Sequence, residues 1–359
     1  MPEISFEVHH TLQPIKAQWL ELERQARQRI SSGQMSYMLF SFYQSCGWAE
    51  FIEHSYRRRH YLFKSGKRLD YILVREDGSP VAILPLIASL RIKRIDIIHA
   101  KIAGLLNVVS PRHSETDLYI YQALTAYLSQ RYHGWRMTFH DIPQQSPFAA
   151  ALRDIVGAQC RERASYCIDL TRFRSFDEYF ASLSKNLYKN TRKAYNHIKS
   201  DGHTFTLRWF NNSEMPRGKA LWRLWNIYFT RKLAWKSRSA NPFAKAVCAV
   251  RAALETHHGM KSESMRALPN SRLAVFEIDG NTAAFMLLYI DGQHILMPKL
   301  AIDTKYSRYS PGILLVLESL KEFFSEGIMD FDMCRGNERY KRDVGGEYRP
   351  LSYVTVNSL

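Results

Sequence analysis

Cysteine is scarce in this sequence. Cys46, Cys160, Cys167, Cys248 and Cys334 are odd in number and scattered, with no CxxC pair and no Cys/His cluster at zinc spacing. A disulfide scaffold and a structural zinc site are therefore not expected, and a reducing compartment is. Long apolar runs are also missing. The longest, residues 80–90, is too short to span a bilayer, and the opening MPEISFEVHH lacks the apolar stretch of a signal peptide. The expectation is a cytoplasmic protein with no transmembrane segment and no metal. There is no repeat of solenoid period and no low-complexity tract. What is present suffices for ordinary cores: 46% hydrophobic and 13% aromatic residues exclude a disordered chain. A length of 359 residues points to two units at roughly 150 residues each.

Acidic residues are few against basic ones, 34 to 50, giving a net charge of +16. The excess is local. Residues 1–150 carry +5, residues 151–250 carry 19 Lys/Arg against 7 Asp/Glu, or +12, and residues 251–359 carry −1. A smaller cluster is Arg57, Arg58, Arg59, Lys64, Lys67 and Arg68. Concentrated positive charge suits an anionic partner: phosphate groups, nucleic acid, an acidic carrier protein or a membrane surface. A solvated basic face without a specific partner explains the same pattern.

The periodicities give a coarse order of elements. A strand over 4–8 precedes a helix over 15–29, with Ile15, Trp19, Leu22 and Ala26 on one face. A second helix is expected over 42–56. Strands at 69–75 and 81–86 flank Glu76-Asp77-Gly78-Ser79, and Asp-Gly between apolar runs signals a hairpin. A helix over 117–130 leads to a strand at 136–141. The second half repeats this outline. A basic helix over 182–200 and two helices over 217–236 and 242–257 precede a hairpin of 273–278 and 282–290 around Asp279-Gly280-Asn281. A third strand at 294–301, a helix over 311–325 closed by Gly327, and a strand at 328–333 follow. The repeat suggests duplicated α/β units, an N-terminal one over 1–160 and a C-terminal one over 161–359.

The segment 296–341 carries the chemistry. Ser310-Pro311-Gly312 opens a helix directly after a strand and loop. Ser310 suits the N-cap, Pro311 the first helical position, and Gly312 leaves room for an anion at backbone N–H groups such as that of Ile313. The same tripeptide is also a plain helix start.

The stretch DTKYSRYSPGILLVLESLKEFFSEGIMDFDMCRGNERYKRDVG resembles the GNAT-type acyltransferases of the CelD-like group, found beside cellulose and exopolysaccharide genes, and the wider FemAB-like superfamily. The shared pattern is an SPG-type turn followed by Gly327, Asp330, Phe331, Asp332, Arg335, Gly336, Tyr340 and Lys341 in register. The segment SYCIDLTRFRSFDEYFASLSKNLYKNTRKAYNHI resembles the family's strand followed by a basic helix, and LAVFEIDGNTAAFMLLYIDGQHILMPKLAID resembles its central hairpin and third strand. The resemblance is strong over 164–341 and weak before it. It implies an α/β fold of tandem GNAT-like domains with mixed central sheets, and an acyltransferase whose acyl-CoA or acetyl-CoA donor lies between two splayed strands. Carried over, the donor site comprises Leu300, Ala301, Arg308, Ser310, Pro311, Gly312 and Ile313. Relatives in the FemAB-like branch imply aminoacyl-tRNA as an alternative donor.

Direct acyl transfer needs a base, an acid for the leaving thiolate, and N–H groups on the carbonyl. Asp332 is the candidate base, or an ion-pair partner of Arg335. Tyr340 is the candidate acid, or a packed aromatic. Arg335 and Lys341 are candidates for binding an acidic substrate group or donor phosphates. Trp235 belongs to a dense aromatic helix with Trp222, Trp225, Tyr228 and Phe229, which is either core or one wall of an acceptor groove. Cys334 has no histidine near it in sequence and reads as an inert thiol. Three readings follow: an acyl-CoA-dependent transferase acting on a small-molecule or glycan acceptor of the cell envelope, an aminoacyl-tRNA-dependent one, and a non-catalytic module. An acyl carrier protein or tRNA at the basic 151–250 region is a possible partner.

Overall fold

The structure, a computed structural model, describes residues 2–63, 66–98, 103–236 and 242–357, the side chains of 59–63, 234–236 and 242 excepted. The chain divides into two compact units, Met1–Ser165 with Arg349–Leu359, and Tyr166–Tyr348.

In chain order the first unit contains β1 (Ile4–His9), α1 (Lys16–Ser31), α2 (Cys46–Phe63), β2 (Lys67–Glu76), β3 (Ser79–Ser89), β4 (Arg94–Ile97), α3 (Leu118–Arg131), β5 (Arg136–Pro143), α4 (Pro147–Arg153) and most of β6 (Ala158–Asp169). The second contains α5 (Phe176–Ser182), α6 (Lys185–Ser200), β7 (Phe205–Asn211), α7 (Gly218–Lys236), α8 (Pro242–His258), α9 (Met260–Ala267), β8 (Ser271–Ile278), β9 (Asn281–Asp291), β10 (His294–Ile302), α10 (Pro311–Ser325), β11 (Asp330–Arg335) and α11 (Arg339–Asp343). The last strand, β12 (Glu347–Val356), pairs antiparallel with β5, from Leu351 opposite Pro143 to Val356 opposite Met137.

The two units share one strand plan. In the first, β1, β2, β3 and β4 are successive antiparallel neighbours and β5 lies parallel to β4. In the second, β7, β8, β9 and β10 repeat the antiparallel run and β11 lies parallel to β10. The likeness reaches single residues. Asp77-Gly78 and Asp279-Gly280 both turn with positive φ at both positions, which the mirror-image two-residue hairpin turn demands. Each hairpin also shifts register two residues ahead of its turn, at Val74/Arg75 and at Phe276/Glu277. Residues 71–74 and 273–276 are buried, being covered on both faces. Each parallel pair comprises three residue pairs: Arg94–Arg136 to Asp96–Thr138, and His294–Asp330 to Leu296–Asp332.

Several local expectations change. The helix expected over 182–200 is α6, which starts at Lys185, and a separate helix, α5, precedes it. Ser184 stands between them in extended conformation and accepts from the Leu187 N–H as the N-cap of α6. The helix expected from residue 42 begins at Cys46, because Phe42–Gln44 form a separate turn closed by the Ser41 and Gln44 capping box. Strands β4, β7 and β12 and helices α4, α5, α9 and α11 were not foreseen.

Candidate functional site

The second unit gathers its chemistry where β10 leaves β11. Their pairing ends at Leu296–Asp332, and on its other side β10 breaks register with β9 between Leu296 and Lys299 before resuming at Lys299–Leu287. Lys299 to Ile302 therefore pair with β9 and no longer with β11. A bulge at a parting strand re-aims side chains and frees backbone groups on one edge. Leu300 and Ala301 lie on this freed stretch, Ala301 with its side chain buried.

The connection from β10 to α10 passes through Arg308 and Ser310. Ser310 takes the N-cap position but sits in the left-handed region (φ 48, ψ 46), and its hydroxyl makes no capping bond. The expected side-chain cap is absent because that backbone turns the carbonyl inward: Ser310 O accepts from both Ile313 N–H (3.0 Å) and Leu314 N–H (3.2 Å). The Ile313 N–H is thus engaged, and with Pro311 lacking one, the Gly312 N–H is the first-turn donor left without a partner among the described residues. No acidic residue occupies this first turn. Gly312 also packs closely: a Cβ built there would lie 2.9 Å from Ile302 Cγ2 and 3.4 Å from Leu300 Cδ2.

Facing this helix start is α6. A cleft of about 520 Å³ is lined by Asn190, Thr191, Lys193 and His197 of α6, by Arg308, Ser310 and Ile313, and by Arg339 and Asp343 of α11. Two buried polar atoms on α6, Thr191 Oγ1 and His197 Nδ1, have no hydrogen-bond partner among the described residues. Arg308 reaches Asp201 at 3.3 Å, and the Tyr309 hydroxyl donates to the same carboxyl at 2.8 Å. The bond from Tyr309, and then Arg308, hold the Asp201 carboxyl below its usual range. Arg339 pairs with Asp343 at 3.5 Å and is largely exposed.

At the end of β11 the motif residues build a rigid loop. Asp332 is buried and its Oδ1 accepts from the Cys334 N–H at 2.5 Å, bracing Cys334 in the left-handed region (φ 56). Gly336 follows at φ 128, which suits only glycine. Asn337 Oδ1 accepts from the Tyr166 hydroxyl (3.0 Å) and Arg342 (3.1 Å). Lys341, expected as a substrate ligand, is instead buried. Its ammonium donates to the carbonyls of Cys334 (3.0 Å) and Arg335 (2.9 Å) and lies 3.2 Å from Glu338. An ammonium so enclosed holds the loop and cannot reach a ligand. The Arg335 side chain, by contrast, is exposed.

Burial pushes the Tyr340 phenol well above its usual range, and the Glu338 carboxylate and Cys334 thiol add to this. Lys299, which the sequence reading passed over, stands at the first residue of β10 past the bulge. Burial lowers its ammonium to about 8, with Lys261, Arg335 and Lys232 adding like-charge repulsion and Cys334 opposing it. A lysine within the apolar run ILMPKLAI was the available signal. Of the aromatic helix, Trp225 is core, donating to Ser262 Oγ at 2.7 Å, while Tyr228 and Phe229 are half-buried. The Trp235 side chain lies outside the described residues. Among the described residues, no group of three or more His, Cys, Asp or Glu could hold a metal ion, and no helix is long and apolar enough to cross a membrane.

Residues 185–342 match the family model of the acetyltransferase (GNAT) domain. This part of the chain is therefore an acyltransferase domain. No curated protein matches the chain. Among solved structures, a tandem GNAT protein from the clavulanic acid biosynthesis pathway is similar at 14% identity, over 98% of each chain, with a TM-score of 0.51. FemX is similar at 11% identity over 97% of this chain and 96% of its own, TM-score 0.53. The C-terminal domain of a putative lysylphosphatidylglycerol synthetase from Agrobacterium fabrum is similar at 15% identity over 86% and 92%, TM-score 0.50. These likenesses identify the fold as that of tandem GNAT-type proteins.

Proposed function

We propose that the second unit transfers an acyl group from acyl-CoA to an amine or hydroxyl of a cell-envelope or polysaccharide-related acceptor. The observation that carries this reading is the parting of β10 from β11 beside a helix start that bears a free N–H and no acid. The first unit supplies the contrast. Its corresponding helix α3 begins behind its own carboxylate, since Asp117 accepts from Ser114 and from Arg112 at 2.7 Å. The position matching Asp332 is Thr138. We read the N-terminal unit as a duplicate that does not carry out transfer.

The residues present fit the donor. Its phosphates suit the cleft of Lys193, Arg308 and Arg339, with the Gly312 N–H at the positive end of α10 and the unpartnered Thr191 hydroxyl beside it. Bound there, the donor supplies an activated thioester. The acceptor nitrogen or oxygen bonds to the carbonyl carbon, and the bond from that carbon to sulfur breaks. Asp332 is assigned to take the acceptor proton and Tyr340 to give a proton to the departing thiolate. A raised phenol stays protonated at neutral pH and so retains a proton to give. Five free cysteines accord with action in the cytoplasm.

Calorimetry of the full chain with acetyl-CoA tests the reading. Wild-type protein should bind, and Lys193→Glu with Arg339→Glu should weaken binding by about tenfold or more. Absence of binding by the wild type removes acyl-CoA as donor.

One observation favours a second reading. Lys185, Lys189, Arg192 and Lys193 are all exposed on α6, and none has a carboxylate partner among the described residues. Such a stripe suits a polyanion, and aminoacyl-tRNA is the donor that would use it. RNA binding that falls steeply with salt would mark that alternative.

A further inference from the structure

We infer that Lys299 and Arg335, beside the point where β10 parts from β11, hold an anionic group of the acceptor, a carboxylate or a phosphate, next to the donor. The acceptor role rests on the acyl transfer proposed above; the anion site does not.

Cations reach this point from four separate elements. Lys299 comes from β10, Lys232 from α7, Lys261 from α9 and Arg335 from the end of β11, and the last three each act electrostatically on Lys299. No carboxylate is among the groups that act on Lys299, although Asp332 of β11 stands opposite Leu296 where the strands part. Glu255 of α8 is the one acid that acts on the neighbouring Tyr228 and Tyr289. It is already taken by Lys261, at 2.7 Å from the ammonium and 2.9 Å from the backbone N–H. Lys299 itself has no hydrogen-bond or ion-pair partner among the described residues. Residues 237–241, which follow α7, contain no Asp or Glu to supply one.

A half-buried ammonium ringed by like charges raises the energy of the free protein. An anion entering the ring adds an attraction to each of those cations and so offsets their repulsion. The position is also the right one, because Lys299 stands where the strand has been re-aimed by the bulge and where β11 no longer covers it. On one flank the rings of Trp225, Tyr228 and Phe229 lie 5.6, 6.0 and 5.8 Å from the Lys261 ammonium, forming an apolar wall that weakens water's competition for the anion.

The test uses the full chain and two probes, succinate and inorganic phosphate, each titrated by calorimetry at an ionic strength fixed with sodium chloride. Wild type and Arg24→Met, whose change lies on the exposed surface of α1, should bind at least one probe. Lys299→Met and Arg335→Met should lose about tenfold or more in affinity for it. Which probe is lost distinguishes a carboxylate from a phosphate. A smaller loss for both probes in Lys299→Met, or no binding of either by the wild type, overturns the inference. Lys299→Gln repeats the measurement with a polar neutral end should the methionine disturb the strand. Acetyl-CoA is titrated separately: if it fails to bind wild type while a probe binds through Lys299, the acyl-CoA reading falls and the anion site stands.

Discussion

Gly312 and Ile302 stand so close that a Cβ on the first would lie 2.9 Å from Cγ2 of the second. Ile302 is β-branched, and its Cγ2 is fixed by χ1, so the contact cannot be relieved by swinging a flexible end. Gly312 therefore sets the distance between the start of α10 and the freed stretch of β10. Gly312→Ala should cost about 1–3 kcal/mol of stability, read by urea unfolding. Ile302→Ala in the same chain should recover part of that loss, so that the two changes are not additive. Full additivity would show that the close approach does not matter.

Lys341 predicts a structural phenotype where the sequence suggested a binding one. Lys341→Met leaves the Cys334 and Arg335 carbonyls without their donor in a buried loop and should cost about 2–4 kcal/mol. The KM for the acceptor should shift less than the melting temperature implies for a direct ligand. Lys341→Arg should not restore the loop, because a planar guanidinium does not fit a site shaped for a compact ammonium.

Asp332 and Tyr340 are to be separated from folding by conservative change. Asp332→Asn keeps an oxygen to accept from the Cys334 N–H, so the melting temperature should stay within a few degrees while turnover falls. Asp332→Ala removes that acceptor and should lose about 1–2 kcal/mol as well. Tyr340→Phe should lower kcat with the acetyl-CoA affinity unchanged. Unaltered turnover in both Asp332→Asn and Tyr340→Phe would leave neither residue in the reaction.

Lys299 gives a pH dependence of definite sign. Its ammonium is lowered to about 8 from 10.5, so between these values the unfolded chain binds more protons than the folded one. Stability from this group therefore rises with pH across that window, and the penalty is fully present below it. Lys299→Met should raise the melting temperature at pH 7, and the gain should shrink as pH climbs from about 8 to 10.5. A gain that persists unchanged at pH 10.5 would show that it comes from packing and not from charge.

Much of the fold was readable because its signals are local. The Asp-Gly pairs at 77–78 and 279–280 announced both hairpins, and Pro311 with Gly327 bounded α10. Strands such as β7 and β12 escaped because their partners are remote: nothing near Phe205 or Glu347 says which edge each will join. The site was legible as a neighbourhood but not as roles. The run from Asp332 to Lys341 was identified as one unit, yet its chemistry is divided. Lys341, Asn337 and Gly336 shape the loop, while Arg335 is presented by it. A buried lysine and an exposed arginine look alike in a charge count. Lys299 was overlooked for the opposite reason, since its importance comes from three cations far away in sequence.

The placement of β12 bears on the order of synthesis. The strand that closes β5 of the first unit is made of residues that leave the ribosome some two hundred positions after it, from Leu351 opposite Pro143 to Val356 opposite Met137. The N-terminal unit thus waits with an open edge at β5 throughout translation of everything between, while the whole second unit is being made. An exposed edge kept that long invites pairing with other chains. Nascent protein should be most prone to aggregate in that interval, and a chain stopped just before residue 349 should keep the hazard permanently.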